Sequence, residues 1–398
     1  MIAAGDLGQL ATGRQEDLFA QDLQRNHDRL TASIEGKRVL VIGGAGSIGQ
    51  ATVEVVSGFR PAALHVVDHN ENNLAELVRN LRGRPEGLSV QDFRTLPVDF
   101  GSSIMARFLK DQPPYQAVLC FAALKHVRSE KDVYSIMQML RVNVLLVWRL
   151  LRWLKEPEHF FCVSTDKAAN PVNVMGATKR LMEHVVFEQP DRPHATARFA
   201  NVAFSEGSLL QGFLRRLERR QPLPIPRDTR RFFVTLRESG QLCTLAAFTS
   251  PARHVVVPRL DAECDLKLLE EVGRDLVTHL GRTPCEYDSE EEARSKAHED
   301  YAQGRVPLLL TPCDTTGEKP YEEFVGEGEE LREIGLESLL GVPYLANPAL
   351  NLSDLVNRMQ KMIEGEPWAE LEELLDLLSS SLPEFRHQRT ALHLDSRL

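Results

Sequence analysis

No stretch of this chain stays apolar for long enough to span a bilayer. Its first residues, MIAAGDLGQLATGRQEDLF, have neither the basic start nor the apolar centre of a secretory leader. Positive charge is not in excess: 47 Lys and Arg stand against 57 Asp and Glu, giving a net charge of -10 and a pI near 5.7. That balance argues against nucleic acid or an anionic membrane as the main partner. There is no C-x-x-C pair, no internal repeat and no low-complexity tract. The six cysteines (Cys120, Cys162, Cys243, Cys264, Cys285 and Cys313) are scattered, so neither a metal site nor a disulfide framework is expected. Two of them sit in the apolar runs AVLCFAA and HFFCVST, where cysteine packs as a small hydrophobe. The expected compartment is the cytoplasm.

What is present is a long soluble chain: 398 residues, 42% hydrophobic and 26% charged, enough for a large buried core. From residue 37 short apolar runs alternate with helical patterns. The runs are KRVLVIG (37–43), AALHVVD (62–68), LSVQDFRTLPVD (88–99), QAVLCFAA (116–123), HFFCVST (159–165), ATARFANV (195–202) and RHVVVP (253–258). Continuous apolar strands separated by helices predict a doubly wound, Rossmann-type α/β fold with a parallel sheet covered on both faces. Such a sheet binds ligands at the carboxyl ends of its strands. The reading divides the chain into a helical extension over 1–36, a dinucleotide-binding domain over 37–258 with an insert at about 203–245, a smaller substrate-binding region over 259–350, and a helical extension over 351–398. Within the third part, DLKLLEEVGRDLVTHLG reads as an amphipathic helix and VPLLLTPCD as a late strand.

The strongest local signal is IGGAGSIGQ, which follows the first strand and opens a helix. Gly44, Gly46 and Gly49 satisfy G-x-G-x-x-G, and Gly43, Gly46 and Gly49 satisfy G-x-x-G-x-x-G. Glycine suits the turn because side chains would bar a pyrophosphate from the free N–H groups of the helix start. Ser47 and Ile48 share this turn. Asp68 ends the second strand, nineteen residues past Gly49, where a carboxylate can accept both ribose hydroxyls and repel a 2′-phosphate. NAD is therefore expected rather than NADP, with His69 and Asn70 beside the ribose. Asp99 and Phe100, at the end of the third strand, would lie by the adenine, and Ala122 and Ala123 follow the fourth.

A second cluster, STDKAANPVNVMGATKR (Ser164–Arg180), follows the fifth strand. Alone, STDK reads as a strand-end turn with a capping residue. Behind a dinucleotide motif it reads as chemistry: Thr165 can donate and accept, Asp166 can serve as an acid if protonated, and Lys167 as a base if neutral. Lys179 lies four residues after Met175, so the two share a helix face.

Taken in order, GGAGSIG, DHNENNL, FAALKHV, STDKAANPVNVMGATKR, RFANVAFSEGSLL and DTRRFFVTLRESGQL resemble the extended short-chain dehydrogenases called nucleotide-sugar 4,6-dehydratases. The narrower resemblance is to the N-acetylglucosamine 4,6-dehydratases of bacterial polysaccharide and nonulosonic-acid biosynthesis. It covers about residues 37–245, and TGEKPYEEF (316–324) resembles the segment that closes over the sugar nucleotide. Two positions depart from the common pattern. Phe121 stands where many relatives carry histidine, and Met175 stands where many carry the tyrosine of Tyr-x-x-x-Lys. A methionine variant does occur within the dehydratase group.

The resemblance implies an NAD-dependent lyase that converts a UDP- or GDP-linked N-acetylglucosamine to its 4-keto-6-deoxy form. Thr165, Asp166 and Lys167 would handle protons, and Lys179 would hold the nicotinamide ribose. Asn201 and Arg231 would bind the diphosphate of the nucleotide sugar, and Glu318 and Lys319 would contact its nucleotide end. Lys125 and His126, following the fourth strand, would border the cleft. Of the seven arginines between 215 and 231, Arg231 alone matches the phosphate-binding position; Arg215, Arg216, Arg219 and Arg220 read as a solvated face. A 4-epimerase ranks behind, since that reaction relies on the missing tyrosine. A catalytically silent NAD- or sugar-nucleotide-binding protein has only Met175 in its favour. A homo-oligomer is expected by the same resemblance.

Overall fold

The computed structural model describes residues 4–127, 130, 132–189, 192–312, 321 and 323–388. Its strands are β1 (Arg38–Ile42), β2 (Ala63–Asp68), β3 (Asp92–Pro97), β4 (Ala117–Cys120), β5 (His159–Val163), β6 (His194–Ala197), β7 (Asn201–Val202), β8 (Leu223–Pro226), β9 (Arg230–Val234), β10 (His254–Pro258), β11 (Leu266–Leu268), β12 (Thr283–Tyr287), β13 (Arg305–Thr311), β14 (Arg332–Glu333) and β15 (Leu339–Pro343). Among the described residues nine of them form one sheet in the order β14-β15-β10-β6-β5-β4-β1-β2-β3. From β10 to β3 every pairing is parallel, while β15 runs antiparallel to β10 and β14 antiparallel to β15. The chain order reverses between β1 and β4, and a doubly wound sheet opens its ligand crevice at such a point.

Alternation along β1 shows why the strands read as unbroken apolar runs. Leu40 and Ile42 enter a core with the helices Val133–Leu140, Leu146–Trp153 and Val174–Val186. Val39 and Val41 enter a second core with the helices Ser47–Ser57, Glu71–Arg82 and Leu236–Thr249 on the opposite face. Each strand is buried twice, which is the sequence pattern of a parallel sheet. Cys120 and Cys162 pair across β4 and β5 and are buried in the first of these cores.

The two extensions complete these layers. Of the N-terminal helices, Ala4–Thr12 packs through Ala11 on the core of the small sheets, while Ala20–Arg25 and His27–Ile34 lie over the second face, where Phe19, Leu30 and Ile34 are fully buried. Arg14 fastens this segment by donating to Glu238, Asp265 and the Phe233 carbonyl. The C-terminal helices Leu352–Glu364 and Leu371–Ser381 cover the first face through Leu355, Met359, Leu374 and Leu378. Arg149 and Arg180 reach out to them, pairing with Glu364 and Glu384.

Two small sheets lie beyond the main one: β11-β9-β7 and the parallel β12-β13-β8. The 195–202 run, expected as one strand, is divided between sheets. β6 ends at Ala197, Arg198 turns its guanidinium into a buried acidic pocket, and the chain resumes at Asn201 as β7 beside β9. The 259–350 stretch likewise serves two layers: β12 and β13 build a small sheet, and β15 returns to the main one. No helix among the described residues is long and apolar enough to cross a membrane.

Candidate active site

β1 delivers the chain to Gly43 with a positive φ of 71°, a conformation that L side chains rarely adopt. A Cβ there would also lie 2.4 Å from the Ala122 nitrogen, so the turn after β1 can lie against the end of β4 only with glycine at this place. Gly46 then opens the helix Ser47–Ser57 without a side-chain cap. Its first-turn N–H groups face a cavity of about 660 Å³. A Cβ on Gly46 would meet only the Gly43 carbonyl, at 3.5 Å, so the approach to these donors is open. The cradle fits a pyrophosphate.

Every residue expected at the cofactor except Lys179 lines this one cavity: Gly43, Gly46, Ser47, Ile48, Gly49, Asp68, His69, Asn70, Asp99, Phe100, Ala122 and Ala123. Asp68 fixes the corner past β2. Its Oδ2 accepts the Ala45 N–H and its Oδ1 the Asn70 N–H, each at 3.0 Å. A carboxylate has about four lone-pair positions, which leaves two for ribose hydroxyls. Asp99 accepts the Gly101 N–H at 2.9 Å, so it shapes the turn after β3 while its neighbour Phe100 walls the cavity. Phe121 lines the cavity where relatives carry histidine. Lys125 and His126 border it as well. Lys125 is crowded enough that desolvation lowers its pKa, partly opposed by Glu206.

Beside the cavity, past Val163 at the end of β5, lies the Thr165-Asp166-Lys167 cluster expected from the sequence to handle protons. Asp166, 5% exposed, is its hub. Oδ1 accepts from Thr165 Oγ1 at 2.7 Å, from the Lys167 N–H at 2.9 Å and from Lys167 Nζ at 3.1 Å. Thr165 is also the N-cap of the short 3₁₀ turn Asp166–Ala168, so the capping and the chemical readings describe the same atoms. The resting arrangement is an ion pair; the protonated acid and neutral amine of the sequence reading need that proton redistributed. Met175 is 3% exposed on the helix Val174–Val186, packed in the first core, with its N–H donating to Glu130 Oε1 at 2.9 Å. Lys179 is also buried, and its Nζ donates to the Val163 carbonyl at 2.8 Å. Burial lowers its pKa, opposed by Cys162, Cys120 and Glu183. It reaches the cavity wall through Val163 and does not line the cavity itself.

Behind the cluster is a buried network that local reading of the sequence missed. Ser164 Oγ donates to Glu183 Oε1 at 2.6 Å, and Arg198 makes a two-pronged contact with the same carboxylate at 2.8 and 2.6 Å. Glu329 and Arg180 close the ring. Burial alone would raise the Glu183 carboxyl, but Arg198, Arg180 and Ser164 outweigh it and hold it at about 2. The available signal was spacing: Glu183 lies four residues past Lys179, on the same face of a helix that is otherwise almost wholly apolar there.

The remaining expected binding groups lie apart from the cavity. Asn201, on β7, donates to the Phe232 carbonyl at 3.4 Å, and Arg231, on β9, donates to the Arg230 carbonyl at 2.8 Å. Both belong to the β11-β9-β7 sheet. Arg215, Arg219 and Arg220 are exposed at the end of the helix Leu209–Glu218 and just past it. Glu318 and Lys319 lie outside the described residues.

Comparison with known proteins gives the family and the fold. A probable polysaccharide biosynthesis protein of Bacillus subtilis, EpsC, is 28% identical over 335 residues, which is 81% of this chain and 52% of the relative. The chain thus spans about half the length of that protein. A UDP-N-acetylglucosamine 4,6-dehydratase (inverting) of Campylobacter jejuni is 26% identical over 357 residues, 86% of this chain and 98% of the enzyme. Among solved structures, a double mutant of the dTDP-glucose 4,6-dehydratase DesIV from Streptomyces venezuelae, with NAD and DAU bound, has the same fold. The TM-score is 0.54 at 16% identity, covering 88% of this chain and 98% of the other. Residues 39–342, well over half of the sequence, match the family described as polysaccharide biosynthesis protein, and the chain belongs to that family.

Proposed function

We propose that the protein is an NAD-dependent 4,6-dehydratase of a nucleoside-diphosphate N-acetylglucosamine. The observation that carries this reading is the hub at Asp166, where one carboxylate oxygen holds both the Thr165 hydroxyl and the Lys167 ammonium beside a dinucleotide cradle. The Campylobacter relative's name and the family's role in polysaccharide biosynthesis support it. NAD is the cofactor, in keeping with Asp68 and with the NAD bound to the Streptomyces dehydratase. Held by the Gly43–Gly49 turn and Asp68, NAD would supply a hydride acceptor for C4 of the sugar and the donor that returns it to C6.

The residues of this chain would then move two protons in four transfers, and the count closes. Thr165 Oγ1 donates to Asp166 and accepts the Lys167 N–H at 3.5 Å, which leaves one lone pair to accept the C4 hydroxyl. As C4 becomes a ketone, the hydroxyl proton passes through Thr165 to Asp166, which is thereby protonated. The ketone acidifies the C5 proton, which goes to Lys167. Asp166 gives its proton to the departing C6 hydroxyl, which leaves as water. Lys167 returns its proton to C5, which restores the ionised Asp166 and neutral Lys167 that start the cycle once the resting ammonium has given a proton to solvent. A bound cation and the exclusion of water favour loss of the resting ammonium proton of Lys167. Thr165 and Asp166 supply the relay that a tyrosine at position 175 would otherwise provide.

The test is to incubate the full-length protein with UDP- and GDP-N-acetylglucosamine in deuterated water and follow the products by NMR. A 4-keto-6-deoxy sugar carrying deuterium at C5 is expected, and the substrate consumed names the nucleotide. A 4-epimer without loss of water would replace this reading with epimerisation; no turnover of any sugar nucleotide would leave only a binding protein. Asp166→Asn and Lys167→Ala are each expected to lower turnover by about 100-fold or more while the dinucleotide stays bound. Near-normal activity in either variant refutes its assigned role.

A further inference from the structure

The segment that joins β7 to the helix Leu209–Glu218 reaches the dinucleotide cavity, where Glu206 and Gly207 line it. The Glu206 N–H donates to Ser47 Oγ at 2.9 Å, and Lys125 Nζ donates to the Glu206 carbonyl at 2.9 Å. Both partners line the cavity, one on the phosphate turn and one past β4. The backbone of Glu206 is thus held on both sides, and its side chain extends to Asn73, whose amide donates to Oε2 at 3.4 Å. Asn73 belongs to the first turn of the helix Glu71–Arg82, where its N–H donates to Asn70 Oδ1. That turn follows directly on Asp68. Two carboxylates, from different elements, therefore line the same part of the cavity as His69, Asn70 and Asn73.

This corner lies at the end of β2, where the Rossmann arrangement places the adenosine ribose. Among the described residues the permanently cationic side chains lining the cavity are Lys125 and Arg141. Lys125 is engaged by the Glu206 carbonyl, and Arg141 approaches Glu364 at 3.7 Å. The Asp68 carboxylate is itself shared with two backbone N–H groups of the turns it shapes, whereas the Glu206 carboxylate accepts the Asn73 side-chain amide and its charge reaches Lys125.

We infer that Glu206 is a second specificity-determining carboxylate for the cofactor, acting from the substrate side of the cleft: it admits a ribose with a free 2′-hydroxyl and repels one that carries a 2′-phosphate. The inference rests on the dinucleotide reading above but not on the dehydration chemistry. It gives the phosphate turn a partner that neither the glycine motif nor the end of β2 contains. It also ties nucleotide choice to a segment that leads into the β11-β9-β7 sheet.

The experiment is a competition for the full-length chain. Protein is equilibrated with mixed NAD and NADP and rapidly desalted, and the retained nucleotides are quantified by chromatography. The wild-type chain is expected to retain NAD. Glu206→Gln is expected to move the NADP-to-NAD ratio upward by roughly five- to tenfold at low salt, and the shift should shrink at about 1 M salt as the charge is screened. Glu206→Lys carries the change further in the same direction and serves as the test if the glutamine variant folds poorly, which circular dichroism reports. An unchanged ratio in both variants overturns the inference, as does a shift that persists undiminished at high salt. Wild-type retention of both nucleotides overturns this inference alone, whereas retention of neither overturns the dinucleotide reading beneath it.

Discussion

Methionine at position 175 has no proton to give, and its side chain is packed among Val174, Ala177 and the apolar helices of the first core. If Thr165 and Asp166 carry the C4 proton, the sulfur contributes only volume. Removing a group that handles a proton costs about 100-fold or more, whereas Met175→Leu is expected to cost less than about threefold in kcat. Its stability should change by less than about 1.5 kcal/mol, because leucine and methionine fill similar space. Turnover in the deuterium assay and a thermal melt check both. The residues legible from sequence at this scale are those whose meaning is local: a glycine needed by a turn, a carboxylate at a strand end, a Thr-Asp-Lys run. Glu183 and Arg198 were not legible, because their meaning is each other, fifteen residues and one strand apart.

At the scale of elements, the short turn Asp166–Ala168 and the helix Val174–Val186 form one unit. The helix is capped by Asn173, whose side chain accepts the Gly176 N–H at 2.8 Å. A Cβ on Gly176 would stand 2.3 Å from the Lys167 carbonyl, so this glycine sets how closely the helix approaches the turn that carries the proposed base. Gly176→Ala is expected to push the turn aside and lower kcat by about 10- to 100-fold through misplacement, with retained NAD unchanged. Single-turnover kinetics and the nucleotide assay separate the two effects. The strands and helices of the main sheet were legible as double-buried runs and 3.6-residue patterns. The division of 195–202 between two sheets was not, because the apolar pattern passes through Arg198 without a turn residue, and what bends the chain there is a distant pair of glutamates.

For the whole molecule, acid is the informative stress. His184 is held neutral: burial, then Arg180, lowers its pKa from 6.5 to about 4. Glu183 is held ionised, lowered from 4.5 to about 2. Both are depressed in the folded state, so both contribute stability that is present above their ordinary values and lost as pH falls. The loss from His184 begins below 6.5 and runs to about 4; that from Glu183 begins below 4.5 and runs to about 2. Denaturant melts across this range are expected to show a falling midpoint. Glu183→Gln should flatten the lower part of the curve while costing about 3–5 kcal/mol at neutral pH, since it strips a buried arginine of one of its charged partners. A variant as stable as the wild type at pH 7 would show that the network adds nothing to the fold.

The antiparallel return of β15 has a consequence for how the chain is made. Pro258 and Leu339 are register partners, yet about 80 residues separate them, so at a synthesis rate of 5–20 residues per second β10 waits roughly 4–16 s for its neighbour. During that interval its edge, with Val255, Val256 and Val257, is an open template for another nascent chain. The ribosome therefore exposes the main sheet at its most adhesive just as the intervening small sheet is being assembled, and crowding by polysomes or a shortage of chaperones should reduce the yield of folded protein more than any weakness of the finished molecule.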